Sequence, residues 1–454
     1  MSGAPEARPG PVVAGMAAEL VLPGRVPAAA VLIRTPYGIA GCLPEARSFA
    51  AAGLACLVQD VRGRHLSPGT FAIGRDETAD GHATLDWATA QPWCDGTVFL
   101  YGVAYEAYAA WCAAGHPAVR GIISRQPWPP IAAPALDDEL WWRTELARPG
   151  LFEEIMAGRP EPDVAGRPVD IGPWPPAPGG HREAIVRVTR AAREVTAPSL
   201  HLGSWLCRSA ETTVRQAALA PGADVVMGGW ASALTHRLHE TCALDVPVEP
   251  HPFELALDWL AGRRQGRCLL LGSGRWTDAD PLPPRRTTQA APAVESGPVR
   301  LRHDPARPYP SAPHSANLAP LADRPDVVRL SVPDPPPWHG TPLVTAEVST
   351  DVPAELVATL VHERPGGVAT RLADGTAPVR PGVTGCEIRL TVGAVELPPG
   401  HRLHLELTAG RPPRHRAPAV PAEITLSGLA LHLPRPRGGA FPEAEAEAGA
   451  GAAS

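Results

Sequence analysis

The run Thr97-Val98-Phe99-Leu100-Tyr101 is apolar and short, as a buried strand is, and residues 106–114 are Ala-rich with aromatics at Tyr108 and Trp111, which predicts a helix. Little more than Gly102 to Tyr105 separates them, so the chain must turn sharply from strand into helix. That turn sits in a longer alternation. Residues 28–33 and 54–58 read as strands around a helix-like stretch at 43–52. The acidic start Asp76-Glu77-Thr78-Ala79-Asp80 opens a helix that runs through Leu85 and Trp87, and residues 119–124 supply the next strand. Strands alternating with helices predict an α/β fold with a mostly parallel sheet covered on both faces.

At 454 residues the chain is long enough for two domains. Residues 1–15 are rich in Pro, Gly and Ala and are expected to be unstructured. The α/β domain takes 16–126 and 196–276. Residues 127–195 interrupt it with Pro127-Trp128-Pro129-Pro130, Asp137-Asp138-Glu139-Leu140-Trp141-Trp142 and Pro173-Trp174-Pro175-Pro176. This insertion suits a cap over the active face, and equally a proline-rich excursion packed down by its tryptophans. A linker at 277–297 leads to 298–434, where the period changes to two. Arg402-Leu403-His404-Leu405-Glu406-Leu407-Thr408 alternates cleanly, which predicts a β-sandwich or jelly roll. The tail 435–454 is low in complexity and expected to stay unfolded.

The 56 prolines and the absence of lysine among 41 basic residues fit a GC-rich genome as well as any function. A net charge of −6 gives no reason to expect nucleic acid or an anionic membrane as partner. The eight cysteines form no C-x-x-C pair, so neither a metal site nor a disulfide framework is indicated, and no cofactor is expected. The polar N-terminus and the lack of a long apolar run predict a soluble cytoplasmic chain. A homo-oligomer is left open.

A tight strand-to-helix turn is the geometry of the nucleophile elbow, normally G-x-S-x-G. Here Gly102-Val103-Ala104-Tyr105-Glu106-Ala107 places a methyl group where the serine should stand. Around it lie Arg34-Thr35-Pro36-Tyr37-Gly38, Gln59-Asp60-Val61-Arg62-Gly63-Arg64 and Ser67-Pro68-Gly69-Thr70-Phe71. Glu77, Asp80-Gly81, Asp86-Trp87 and Gln91-Pro92-Trp93-Cys94-Asp95-Gly96 follow, with later echoes at Gly228-Gly229-Trp230 and Pro398-Pro399-Gly400-His401-Arg402-Leu403. In this order and spacing they resemble the cocaine-esterase-like and X-Pro dipeptidyl-peptidase serine hydrolases over roughly residues 25–434. The resemblance implies an α/β-hydrolase domain with a helical cap, a C-terminal jelly-roll (galactose-binding-like) domain, and a Ser-Asp-His triad that cleaves esters or amides through an acyl-enzyme.

Carried over position by position, the triad is gone. The serine falls on Ala104. The aspartate, anchored on Trp205 in Ser204-Trp205-Leu206-Cys207, falls on Cys207, and the histidine, anchored on Trp230, falls on Ser232. Alanine forms no acyl-enzyme, and Ser232 is no base near neutral pH. Cys207 would be a base only with a lowered thiol pKa. The resemblance also implies two oxyanion donors, the Tyr37 phenol and the N–H of Tyr105, and both are kept. Such donors stabilise an enolate as well as a tetrahedral intermediate, although Tyr37 also reads as an ordinary buried tyrosine with a satisfied hydroxyl, its presence explained by inheritance alone. Glu106 is a candidate base if it turns inward, or a charge complementing the helix dipole. His236, with His239, follows the lost histidine, Glu211 lies four past Cys207, and His65 is placed at the pocket rim. Gly272-Ser273-Gly274 lacks the motif spacing. The expectation is a triad-less relative that binds a small acyl, ester or amide ligand. The alternatives are non-hydrolytic acyl chemistry (epimerase, cyclase or lyase) and a hydrolase, esterase or dipeptidyl-peptidase, with a relocated nucleophile.

Overall fold

The computed structural model describes residues 12–72, 74–128, 181–230, 250–263, 266–284, 289–290, 297–312, 316–412 and 415–442. The expected insertion at 127–195 therefore falls mostly outside the described residues, as do Ser232, His236 and His239.

The N-terminal half is organised on one ten-stranded sheet. Its strands are β1 (Val12–Val13), β2 (Met16–Val21), β3 (Ala28–Thr35), β4 (Ala55–Asp60), β5 (Cys94–Val103), β6 (Val119–Arg125), β7 (Ser199–Ser204), β8 (Asp224–Gly228), β9 (Gly266–Leu269) and β10 (Trp276–Thr277). They lie in the order β1-β2-β4-β3-β5-β6-β7-β8-β9-β10. From β4 to β9 neighbours are parallel, and the edges are closed by antiparallel pairs. The central strands are buried on both faces, which explains why they read as continuous apolar runs. Helices α1 (Ile39–Ala51) and α6 (Pro252–Leu260) cover one face, where Phe49 meets Phe253 at 4.9 Å and Tyr101 at 5.3 Å between ring centres. On the other lie α2 (Glu77–Thr89), α3 (Tyr105–Ala113), α4 (His181–Glu194) and α5 (Ala210–Leu219), each packed on the next.

Three expected boundaries shift. A hairpin begins at Val12, inside the stretch expected to be unstructured, because Ala14 and Gly15 both take positive φ and turn the chain in two residues. Helix α4 falls within the proposed insertion, yet it joins the helical layer through α3 and α5. Residues 435–442 are docked: Phe441 is buried, and the Pro442 carbonyl accepts from Arg275 Nη1 at 2.8 Å and Thr277 Oγ1 at 3.1 Å.

The C-terminal half is built of antiparallel sheets, as the period of two predicts. Strands 328–332, 402–409, 354–363 and 369–379 make one sheet; strands 289–290, 422–434, 343–350 and 385–389, with 299–303 alongside, make another. Both contribute to one apolar core, which continues into Trp205 and Val214 of the N-terminal half. The expected linker is not wholly free of structure, since Gln289 and Ala290 pair with Pro434 and Leu433. The halves are joined by a parallel pairing of Leu271 with Val395 and by an Arg275–Glu396 ion pair at 3.0 Å. Among the described residues no helix is long and apolar enough to cross a membrane.

Candidate active site

Strand β5 ends at Val103 and helix α3 begins at Tyr105, so Ala104 alone makes the turn, at φ 52° and ψ −115°. A non-glycine residue held in so sparse a region stores about 1–3 kcal/mol. The turn is tight enough to dictate its neighbour. A Cβ on Gly102 would come within 2.2 Å of the Glu106 carbonyl carbon and 2.4 Å of the Ala107 nitrogen, so only glycine fits. Positive φ recurs at Gly38, His65 and Gln126, just after β3, β4 and β6. These turns lie at the C-terminal ends of neighbouring parallel strands, the edge where open α/β sheets place their ligands.

The two expected oxyanion donors are brought together. The Tyr105 N–H donates to the Tyr37 phenol at 3.3 Å. Tyr37 is held from behind: its N–H donates to Thr35 Oγ1 at 3.1 Å, and the Pro36 carbonyl accepts from Arg64 Nε at 3.0 Å and His65 Nε2 at 3.1 Å. His65 thus clamps the Tyr37 loop. Asp60 ties the same two loops by accepting from the N–H groups of Ile39 and Leu66 at 3.1 and 3.3 Å. Burial raises its pKa, against the pull of those N–H groups and of His65 and Arg64.

The Tyr105 side chain turns away from the site into a charged network. Its hydroxyl donates to Glu77 Oε1 at 2.9 Å and accepts the Gly74 N–H at 2.9 Å. Burial, and then the Glu77 charge, push this phenol well above its ordinary pKa, so it stays a donor. Glu77 accepts in turn from Arg34 Nη1 at 2.7 Å, and Arg34 Nε donates to Gln59 at 3.0 Å. The backbone N–H that faces the site is therefore fixed by a side chain that does not. Trp128 completes the turn: its N–H donates to the Ala104 carbonyl at 3.1 Å, and its ring lies 5.3 Å from Tyr105 and 5.2 Å from Tyr108.

Glu106 does turn inward, but beneath the turn. It is fully buried, accepts the Val103 N–H at 3.1 Å, and takes the Cys42 thiol at 3.5 Å. Its carboxylate is spent on backbone and thiol, a structural part rather than an acid–base group open to a ligand. Cys207 follows β7 and accepts the Ser209 N–H on its sulfur at 3.5 Å; it is the one described cysteine that is not buried. Glu211 sits in the first turn of α5 and pairs with Arg215. Trp230 is buried against Trp276 at 6.0 Å. Among the described residues no cluster of His, Cys, Asp and Glu could hold a metal ion.

Sequence reasoning missed the Trp128 brace and the Arg34–Glu77–Tyr105 network. In the sequence Glu77 reads only as part of a pattern, and Trp128 only as an insertion tryptophan. Chemically, the arrangement sets a phenol beside a backbone N–H that donates to it. At Ala104 it offers no atom that could attack the acyl carbon.

Residues 14–144 match the sequence model of the X-Pro dipeptidyl-peptidase (S15) family. The chain is 26% identical over 426 residues to a cocaine esterase of Rhodococcus sp. (strain MB1 Bresler), covering 73% of this chain and 74% of that one. Among solved structures, an aminopeptidase from a marine sediment archaeon, Thaumarchaeota archaeon, superposes with a TM-score of 0.68 at 17% identity, covering 92% and 93% of the two chains. An α-amino acid ester hydrolase superposes with a TM-score of 0.68 at 16% identity, covering 93% and 94%. At such identities the structures speak for the fold, which is α/β-hydrolase-like.

Proposed function

We propose that this relative of the X-Pro dipeptidyl-peptidase and cocaine-esterase hydrolases keeps the acyl-oxygen cradle of a serine hydrolase and has lost its nucleophile, so that it binds an acyl, ester or amide ligand without serine hydrolysis. The observation that carries the reading is Ala104, which holds the strained elbow conformation with a methyl side chain. Beside it stand the Tyr37 phenol and the Tyr105 N–H, 3.3 Å apart. Strain of this kind clusters at active sites and ligand clamps. Its survival with the two donors speaks for a site that still binds.

Loss of the aspartate and histidine at Cys207 and Ser232 is part of the same proposal and rests on the tryptophan anchors Trp205 and Trp230. The jelly-roll character of the C-terminal half rests likewise on the resemblance, and the two sheets sharing one core suit it. A hydrolase with a relocated nucleophile is the second reading, favoured by the partly exposed Cys207 thiol. Turnover of activated p-nitrophenyl and benzoyl esters and of an X-Pro anilide, measured on the native chain and on Ala104→Ser/Cys207→Asp/Ser232→His, tests the proposal. A silent native chain beside a triple variant with enzyme-dependent turnover is expected. Native turnover abolished by Cys207→Ala would overturn it in favour of the second reading.

A further inference from the structure

Beneath the elbow helix lies a second group of polar side chains that the acyl site does not use. Gly102 of β5 pairs with Ser124 of β6, and Ser124 with His201 of β7, so these positions form one row across the sheet. Paired positions on neighbouring strands face the same way. The Gly102 Cβ would point at α3, so this row faces the helical layer. Trp111, one turn beyond Ala107 on α3, brings its ring within 5.6 Å of the His201 imidazole. From the other side, a Cβ on Gly203 would meet Thr213 of α5 at 2.7 Å. Gln216, three residues on, lies on the same face of that helix, which packs on β7.

Two helices and two strands thus each contribute one polar side chain: Trp111, Ser124, His201 and Gln216, none more than 2% exposed. His201 Nε2 lies 3.2 Å from Ser199 Oγ. Trp111 Nε1, Ser124 Oγ, His201 Nδ1 and both amide atoms of Gln216 have no hydrogen-bond partner in the protein. Orphans of this kind are rare in folded proteins, and five in one layer point to a guest that satisfies them. The guest must both donate and accept, because indole and amide N–H groups donate while the amide oxygen accepts. It must also be uncharged. No carboxylate or guanidinium belongs to the set, and burial drives the His201 pKa down to about 3, leaving the ring neutral. Trp111 also lines a groove of about 640 Å³, together with Arg187, Arg190 and Glu194, while its indole nitrogen stays buried.

We propose that Trp111, Ser124, His201 and Gln216 form an internal binding site for ordered water, which ties the elbow helix α3 to β6, β7 and α5. Buried waters typically make about three hydrogen bonds to groups otherwise left unsatisfied, as this set requires. The sign of a mutational effect separates a hydrated site from a dry one. Removing an orphan polar atom from a dry core relieves a desolvation penalty, whereas removing one wall of a hydrated site leaves its partners unsatisfied.

The test is the thermal midpoint of Gln216→Met and Ser124→Ala in the full chain, with a high-resolution crystal structure of the native protein. The proposal predicts that both variants lower the midpoint. It also predicts ordered water within hydrogen-bond distance of at least two of the five atoms. Midpoints that rise, or density showing the side chains bonded directly to one another, would overturn it. Should a variant fail to fold, the native density decides alone.

Discussion

Glu77→Gln removes one charge and almost no volume from the network that aims the Tyr105 N–H. Arg34 and Glu77 are 2.7 Å apart with side chains 2% and 5% exposed. Removing one partner of a buried ion pair costs about 3–5 kcal/mol, because the other charge is left uncompensated. Here Asp80 stands 3.8 Å from Arg34 and offsets part of the loss, so we expect about 2–4 kcal/mol. Glutamine can also donate to a neighbour where the carboxylate only accepts, so the Tyr105 hydroxyl loses its charged acceptor. Tyr105→Phe alone should cost about 1.5–3 kcal/mol, the range for a hydrogen bond to a charged group. The two changes share one contact, so the double variant should fall short of the sum by about 1 kcal/mol or more. Urea denaturation followed by tryptophan fluorescence reads this directly, since Trp128 packs against the Tyr105 ring. A Glu77→Gln change within about 0.5 kcal/mol of native, the range of ordinary surface substitutions, would refute the reasoning. Strict additivity with Tyr105→Phe would refute it too.

Gly102→Ala should destabilise by about 3 kcal/mol or more, at or beyond the top of the overpacking range, because the new Cβ meets rigid backbone at 2.2 Å. Gly115→Ala, where a Cβ meets nothing within 4 Å, is the control and should stay within about 0.5 kcal/mol in the same urea titration. Burial lowers His201 to about 3 and, with His401 adding to it, His362 to about 4. Above about pH 4 both rings are therefore neutral when folded, and between that pH and about 6.5 they take up protons on unfolding. Their contribution is complete above that pH and is lost as pH falls towards 3–4; urea midpoints at several pH values should show it, with a shallower fall in His362→Gln. Ala104→Ser alone should restore little turnover of p-nitrophenyl esters, because triad members act as a unit and the serine would still lack its base.

The alternation of strands and helices between residues 28 and 125 was legible because each central strand is buried on both faces and reads as an unbroken apolar run. The sharp turn at Gly102–Tyr105 was legible too, and the missing hydroxyl at Ala104 with it. The hairpin at Val12 was not, because its turn uses Ala14 at positive φ, which sequence gives no reason to expect there. The docked segment 435–442 was hidden for another reason. Its anchors are one aromatic, Phe441, and carbonyl contacts to Arg275 and Thr277, more than 160 residues earlier. Charge networks are equally opaque: Glu77 looks like a helix-start acid, yet its partners stand 43 residues before it and 28 after. Glu106 shows the limit from the other side, because inward and outward placements were both open and only packing against Cys42 and Val103 settles which. The Tyr37–Tyr105 pairing came from resemblance and not from any local pattern.

The central claim is that the elbow survives without a serine to attack an acyl group. It is tested most directly by treating the native chain with a fluorophosphonate probe and reading labelled protein by intact mass. The account predicts no adduct on the native chain and an adduct at residue 104 in Ala104→Ser/Cys207→Asp/Ser232→His. Stoichiometric labelling of the native chain at any serine would contradict it.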